Sequence, residues 1–511
     1  MSFSFEVRES DLLGRIGTLR VGGKTLETPC LMPVIHPVSQ AVPVGDLRAM
    51  GFKALMTNSY IIYSRRREEA IEKGIHQMLG FDGVFMTDSG GYQVLEYGGL
   101  ELSYDQVAEF QAGIGSELAV TLDRPTGYPQ SRAYAKETVE YSLENAVATL
   151  KEFGAKATTW VGPVQGGLYQ DLVRKSAKAL VKSRFEFLAL GSPVQVMQNY
   201  MFADLVSMVV AARSSMPYSV PLHLFGAGHP LTMALAVALG CDTFDSASYI
   251  LFARSGRYMT RSVVMTLDAM KFLPCSCPVC SRTSVRGLLD LEFKERTKNL
   301  AEHNLWVLRE EMEACKQAIA EGRLWDLVEE KSMAHPRLRE AFAVLPRHYE
   351  LLAGGTPLLK ERGLFIRSAE DLSRPEVLSA VWRLKQATRR DSQRATVLLS
   401  DPTNPVGKKG PHRGSGKKSD VYRLHPALGL YPSELDFVFP FTQSTTSQGT
   451  ANPPSLKEAL ASLKAMGYRL VKVGKPEPPA RRKRVRSRRS RRGPSPSPRS
   501  ASSPPRSPRR P

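Results

Sequence analysis

No stretch of this sequence approaches the ~20 consecutive apolar residues that a membrane helix needs. The start, "MSFSFEVRESDLLGR", has charges where a signal peptide would have its apolar segment, so an intracellular, cytoplasmic protein is expected. Cysteine is scarce. Of six in 511 residues, Cys275, Cys277 and Cys280 fall together, while Cys30, Cys241 and Cys315 stand alone. That distribution argues against a disulfide framework and for a metal site in a reducing compartment. No G-x-S-x-G elbow marks a serine hydrolase, and no G-x-x-x-x-G-K-[ST] loop marks a phosphate cradle. Acidic residues are missing from 481–511, which hold 13 Lys or Arg, so residues 1–480 keep only +7 of the net +20. A polyanion, most simply a nucleic acid, is the partner this imbalance implies, although a solvated disordered tail has the same composition.

What is present is a chain long enough for two or three domains, with 42% apolar residues to build cores. Eight short strand-like runs fall between residues 31 and 248: "LMPVI" (31–35), "ALMTNSY" (54–60), "GVFMTD" (83–88), "LAVTLD" (118–123), "TWVGPVQG" (159–166), "FLALGS" (187–192), "VPLHLFGAG" (220–228) and "CDTFDSAS" (241–248). Amphipathic helical pattern fills most gaps, as in "AYAKETVEYSLENAVATLKEFG". Alternating strand and helix implies a parallel sheet. Eight repeats in this length fit a (β/α)8 TIM barrel better than an open, doubly wound sheet.

The unusual residues sit at the C-terminal ends of those runs: Asp88, Asp123, Gln165, Gly191, Ser192, the Gly226–Ala227–Gly228–His229 loop and Asp245. In a barrel these ends share the face on which active sites are built. Two rim carboxylates, Asp88 and Asp245, suit a glycosidic reaction in which one attacks the anomeric carbon and another group moves the leaving group's proton. Asp242 competes with Asp245, but alternation places it earlier in the run. In "MTDSGGYQ" the glycines would let a flat ligand approach the backbone, with Tyr92 as a stacking face. Asp123 and Gln165 suit the polar edge of a base, which needs both an acceptor of N–H groups and an amide.

Beyond the barrel, "PCSCPVC" supplies Cys275, Cys277 and Cys280, and His303 follows in "LAEHNLW". Three thiolates on a tight loop suit zinc, and a fourth protein ligand would close the tetrahedron and make the ion structural. By spacing alone His303 is equally well a surface or core residue of a helical stretch running from Leu288 to about Glu329. A smaller α+β region follows, interrupted by the Pro/Gly/Lys loop at 401–420 and closed by an Arg/Ser/Pro-rich segment expected to be disordered.

The motifs "TDSGGYQV", "LDRPTGYP", "VQGG", "ALGSPV", "HLFGAGHP", "FDSASY" and "CSCPVC…H" resemble, in that order, the tRNA-guanine transglycosylases, most closely the archaeal branch. The likeness covers about residues 4–350. It implies a (β/α)8 barrel with one structural Zn2+ on Cys275, Cys277, Cys280 and His303. It also implies base exchange on tRNA, with Asp245 as nucleophile at ribose C1′ and Asp88 as general acid/base. Some accounts of the family give the first Asp the attack. Asp123, Gln165, Gly191 and Ser192 would read the base, with Tyr92 stacked on it. "LALGSPVQV" resembles the enzymes that take 7-cyano-7-deazaguanine (preQ0) at position 15 of the D-arm, on the route to archaeosine.

This organisation reads as a catalytic domain at 1–365, with a zinc segment at 275–303, an accessory region at 366–475 and a basic tail at 476–511. The family commonly forms homodimers. Its archaeal members usually end in a PUA domain, which is not recognisable here, so either a separate polypeptide supplies it or the tail makes the phosphate contacts. Three alternatives remain: exchange on DNA, queuine-type exchange at the anticodon, and a non-catalytic RNA-binding subunit.

Overall fold

A computed structural model describes residues 3–91, 102–387, 394–399, 420–425, 427–436, 438–441, 443–447 and 456–474. Tyr92, the 401–419 part of the Pro/Gly/Lys loop and the basic tail lie outside the described residues. The chain opens on three antiparallel strands, β1 (Ser4–Asp11), β2 (Gly14–Val21) and β3 (Lys24–Thr28). The turn between β2 and β3 uses Gly22 and Gly23, both at positive φ, as a tight hairpin requires.

All eight expected strands form, each shorter than its apolar run: β4 (Cys30–Pro33), β5 (Ala54–Asn58), β6 (Val84–Asp88), β7 (Leu118–Val120), β8 (Thr159–Val164), β9 (Phe187–Leu190), β10 (Leu222–Leu224) and β11 (Thr243–Ser246). They pair in parallel, β11 returning to β4, and a bridge between Val34 and Met56 joins β4 to β5. Helices separate successive strands, which makes this a (β/α)8 barrel.

Inward positions along the strands, among them Met32, Met56, Val84, Met86, Leu118, Val120, Val161 and Phe187, are fully or almost fully buried. They form one cluster with Leu19, Val21 and Leu26 of the N-terminal sheet. Each such side chain contributes roughly 1.5–3 kcal/mol on burial, so the N-terminal sheet acts as an apolar plug in the barrel. Arg15 on β2 fastens that plug. Its Nε donates to Asp242 Oδ1 at 2.9 Å, its Nη2 donates to Asp242 Oδ2, and both residues are buried. Asp242 also accepts the Leu222 N–H at 2.8 Å. It is thus a structural carboxylate at the start of β11, away from the rim where Asp245 sits.

After the barrel, β12 (Arg257–Met259) and β13 (Val264–Thr266) form a hairpin. The expected helical stretch is built from three helices, Val285–Leu289, Phe293–Ala320 and Leu324–Ser332. The second break is at Gly322 (φ +66°), where the Arg323 N–H turns back to the Ala318 carbonyl at 2.7 Å. Downstream, β14 (Leu364–Ile366) pairs with Ser444–Thr446, and a mixed four-stranded sheet is built from Arg394–Leu399, Asp420–His425, Gly429–Pro432 and Leu470–Gly474. Helices Pro375–Ala387 and Leu456–Ala465 accompany these strands. Buried polar contacts tie this region to the barrel segment: Trp325 Nε1 donates to Asp371 at 2.7 Å, and Lys360 bonds Asp11 at 2.7 Å. Among the described residues no helix is long and apolar enough to cross a membrane.

Candidate active site and metal centre

Asp88, Asp123, Gln165, Gly191, Ser192 and Asp245 line one cavity of about 960 Å³ at the C-terminal rim of the barrel. Six residues spread over more than 150 positions are brought together because their strands all end on that face.

Asp245 is held through one oxygen. Its Oδ1 accepts the Gly226 N–H at 2.7 Å and lies 3.0 Å from Nε2 of His223. His223 is fully buried, and its Nδ1 lies 2.8 Å from the Thr243 hydroxyl. The consistent assignment has Thr243 donating to Nδ1 and Nε2–H donating to Asp245. Oδ2 of Asp245 has no hydrogen-bond partner among the described residues. One oxygen is held and the other is left for a ligand. Sequence reading missed His223. Its signal was a polar residue between Leu222 and Leu224, at the inward position of a strand.

Asp88 ends β6 and accepts from Asn58 Nδ2 at 3.2 Å. Asn58 is itself held by capping the helix Ser59–Leu79, where its Oδ1 accepts the Ile61 N–H at 3.0 Å. Burial pushes the Asp88 pKa up to about 7, helped by the neighbouring charges of Asp123 and Asp245. The N–H groups of Gly90 and Ser89 pull it the other way. The glycines after Asp88 prove to answer the protein's own packing. Gly90 has φ +86°, and a Cβ there would lie 2.3 Å from that of Tyr60. A Cβ on Gly91 would lie 2.3 Å from the Asp123 carbonyl oxygen.

Asp123 and Gln165 form a fixed pair. Gln165 Nε2 donates to Asp123 Oδ2 at 2.7 Å, and Ser89 donates to Asp123 Oδ1 at 3.2 Å. Burial raises the Asp123 pKa to about 6 against the pull of those two donors. Gln165 Oε1 accepts from Ser192 at 2.9 Å and from the Thr126 N–H at 3.2 Å, which settles its orientation. Ser192 adopts φ +64°, and its hydroxyl oxygen accepts the Gly127 N–H at 3.0 Å. The Ser192 hydroxyl therefore positions Gln165. Gly191 donates its N–H to the Val164 carbonyl at 2.9 Å, and a Cβ on it would strike Gln165 Nε2 at 2.2 Å. What Gly191 offers a ligand is its carbonyl.

The three clustered cysteines and His303 converge away from this cavity. Their ligand atoms all lie within 4.8 Å of one another. His303 is buried on the helix Phe293–Ala320, and its Nε2 donates to the Met259 carbonyl at 2.8 Å. That bond leaves Nδ1 toward the sulfurs of Cys277 (3.5 Å) and Cys280 (3.3 Å). Tyr258 stacks on the imidazole at 3.6 Å and approaches Cys280 Sγ at 3.2 Å. Three thiols and one oriented imidazole make a donor set able to hold a metal ion with no open position.

Comparison with known proteins agrees with this geometry. A family model described as queuine tRNA-ribosyltransferase matches residues 10–337. The chain is 42% identical over 447 residues to a tRNA-guanine(15) transglycosylase of Aeropyrum pernix, covering 86% of this chain and 87% of that one. Another, from Thermococcus kodakarensis, is 40% identical over 464 residues, covering 90% and 74% respectively. A third, from Sulfolobus acidocaldarius, is 36% identical and covers 86% and 88%. With its barrel, its paired rim carboxylates and these matches, the chain belongs to the tRNA-guanine transglycosylase family.

Proposed function

We propose that this protein replaces guanine at position 15 of tRNA with 7-cyano-7-deazaguanine through a covalent enzyme–RNA intermediate. The observation that carries the reading is the unequal pair Asp88 and Asp245 in one cavity. Asp245 has one oxygen pinned by Gly226 and His223 and the other without a partner, as a positioned nucleophile should. Asp88, with a pKa near about 7, is suited to give and take a proton at neutral pH.

The steps follow. The target nucleotide is extruded from its stack into the cavity. Asp245 Oδ2 attacks ribose C1′, the C1′–N9 bond breaks, and its electron pair leaves with guanine while Asp88 supplies the proton. The incoming base loses its own N9 proton to the Asp88 carboxylate and attacks C1′, and the bond to Asp245 breaks. The RNA backbone stays intact throughout. Asp123, held by Gln165 and Ser89, accepts from the donor edge of the purine, and the carbonyl of the cavity-lining Gly191 serves as a further acceptor. Among the described residues the carboxylates lining the cavity are Asp88, Asp123 and Asp245, and the strip Gly191–Gln195 is uncharged. A neutral nitrile suits that strip, which itself offers no charge to an aminomethyl ammonium.

On this reading Cys275, Cys277, Cys280 and His303 hold one zinc ion, which cross-links the cysteine loop to a helix and takes no part in base exchange. The reading divides the chain at about residue 365 into catalytic and accessory regions. It further includes reaction in the cytoplasm, a homodimer, and tRNA phosphate contacts made either by a separate PUA-domain polypeptide or by the basic tail.

Mapping the nucleotide that acquires labelled 7-cyano-7-deazaguanine tests the assignment. Label at position 15 of tRNA is expected. Label at the anticodon, or in duplex DNA, would overturn it.

A further inference from the structure

Tyr200 has a conformation that its own backbone disfavours. It lies between the helices Val194–Gln198 and Phe202–Arg213, has φ +56°, and is a bulky residue in the left-handed region. Such a residue is strained and persists only where its surroundings hold it there. Those surroundings are rigid. The Tyr200 N–H donates to the Met197 carbonyl at 3.1 Å and the Met201 N–H to the Val196 carbonyl at 3.0 Å. One face of the ring lies on His335, with centroids 4.8 Å apart and planes 9° from parallel. His335 is fixed in turn, because its Nδ1 accepts the Arg337 N–H at 3.1 Å as a helix cap. Phe202 abuts the Tyr200 ring edge-on at 5.9 Å.

Despite this support Tyr200 is 53% exposed, and it lines the same cavity as Asp88 and Asp245. Its hydroxyl makes no hydrogen bond among the described residues, so no polar contact explains the position. Strain at the rim of a catalytic cavity, spent on presenting a flat ring, is the pattern of a binding device.

Resting on the exchange reading above, we propose that Tyr200 is a stacking platform for an unpaired nucleobase of the RNA, next to the nucleotide whose base is exchanged. Extruding one nucleotide deprives its neighbours of a stacking partner, and a preset aromatic face replaces it. The platform accepts any base, because every base has a π-face.

The test uses the full-length protein and two variants, Tyr200→Phe and Tyr200→Gly. Glycine removes the ring and suits the positive φ, so Tyr200→Gly is expected to melt no lower than the parent. Its KM for tRNA should rise about tenfold, the typical worth of one stacked base, with kcat and the KM for the free base unchanged. Tyr200→Phe should keep the parental KM. On tRNA carrying abasic nucleotides beside the target, the parent and Tyr200→Gly should become equal. Equal KM values on intact tRNA, or a tenfold gap that persists on the abasic substrate, would overturn the platform. Absence of exchange by the parent would instead overturn the exchange reading itself.

Discussion

Nε2 of the buried His223 stands 3.0 Å from Oδ1 of Asp245, and the same imidazole is anchored 2.8 Å from Thr243 on the far side. The chain Thr243–His223–Asp245 crosses adjacent strands and fixes which carboxylate oxygen remains for the substrate. Removing it should leave Asp245 present and misaimed. His223→Ala is expected to lower kcat by about 10²-fold, the typical result of an ångström-scale displacement, with the KM for tRNA little changed. His223→Gln, which can still donate to Oδ1, should recover part of the loss. Steady-state kinetics of both variants checks this, and an unaltered kcat in His223→Ala would remove the positioning role.

The two carboxylates should fail differently. Asp245→Asn is expected to form no covalent RNA adduct on a denaturing gel and to lose about 10³-fold or more in rate. Asp88→Asn should still form adduct slowly, because its oxygen is not the one that bonds C1′. The opposite gel pattern would exchange the roles.

Asp88 also sets a pH dependence. Its folded-state pKa near about 7 lies above its ordinary 3.8, so the folded protein binds that proton more tightly than the unfolded chain. The resulting stabilisation is complete below pH 3.8 and is lost as pH rises through about 7. Asp88→Asn has no such loss. Its melting temperature should exceed the parent's most at about pH 8, with the gap narrowing toward about pH 5. A constant gap would mean that Asp88 titrates normally. In the parent, kcat should fall above about pH 7 as the acid form disappears.

Metal removal should act on structure. A chelator, or His303→Ala, is expected to take bound metal from one equivalent to near none. It should also lower the melting temperature as the cysteine loop separates from the helix Phe293–Ala320. Elemental analysis beside thermal unfolding checks both, and a variant without metal that melts like the parent would exclude the cross-link.

Much of this was legible in the linear sequence because its signals are local. Strand period and helix period alternated eight times; seven runs contain a barrel strand and the first overlaps one that begins at Cys30. Asp88, closing its run, and Asp245, in the C-terminal half of its own, marked the rim. The cysteine spacing announced a ligand cluster, and His303 joined it. Other features carried no local signal. The plug of β1 to β3 had a hairpin pattern at "RVGGKT", but nothing in it says that Leu19, Val21 and Leu26 enter a barrel. The helical stretch from Leu288 did not announce its break at Gly322, whose positive φ depends on the turn it caps.

The sequence by itself determined the periodicities, the donor types and the order of the motifs, since these depend on residues a few positions apart. It therefore determined the barrel, the paired carboxylates and the thiol cluster. Only the tertiary structure decided what each group has left to offer a ligand. Asp242 and Asp245 are three residues apart, yet one is bound up with Arg15 from the N-terminal plug and the other keeps an oxygen without a partner. Ser192 spends its hydroxyl on Gln165, and Gly91 is small for the sake of Asp123. Such differences are set by hydrogen-bond partners tens to hundreds of residues away, and those partners meet only when the barrel closes.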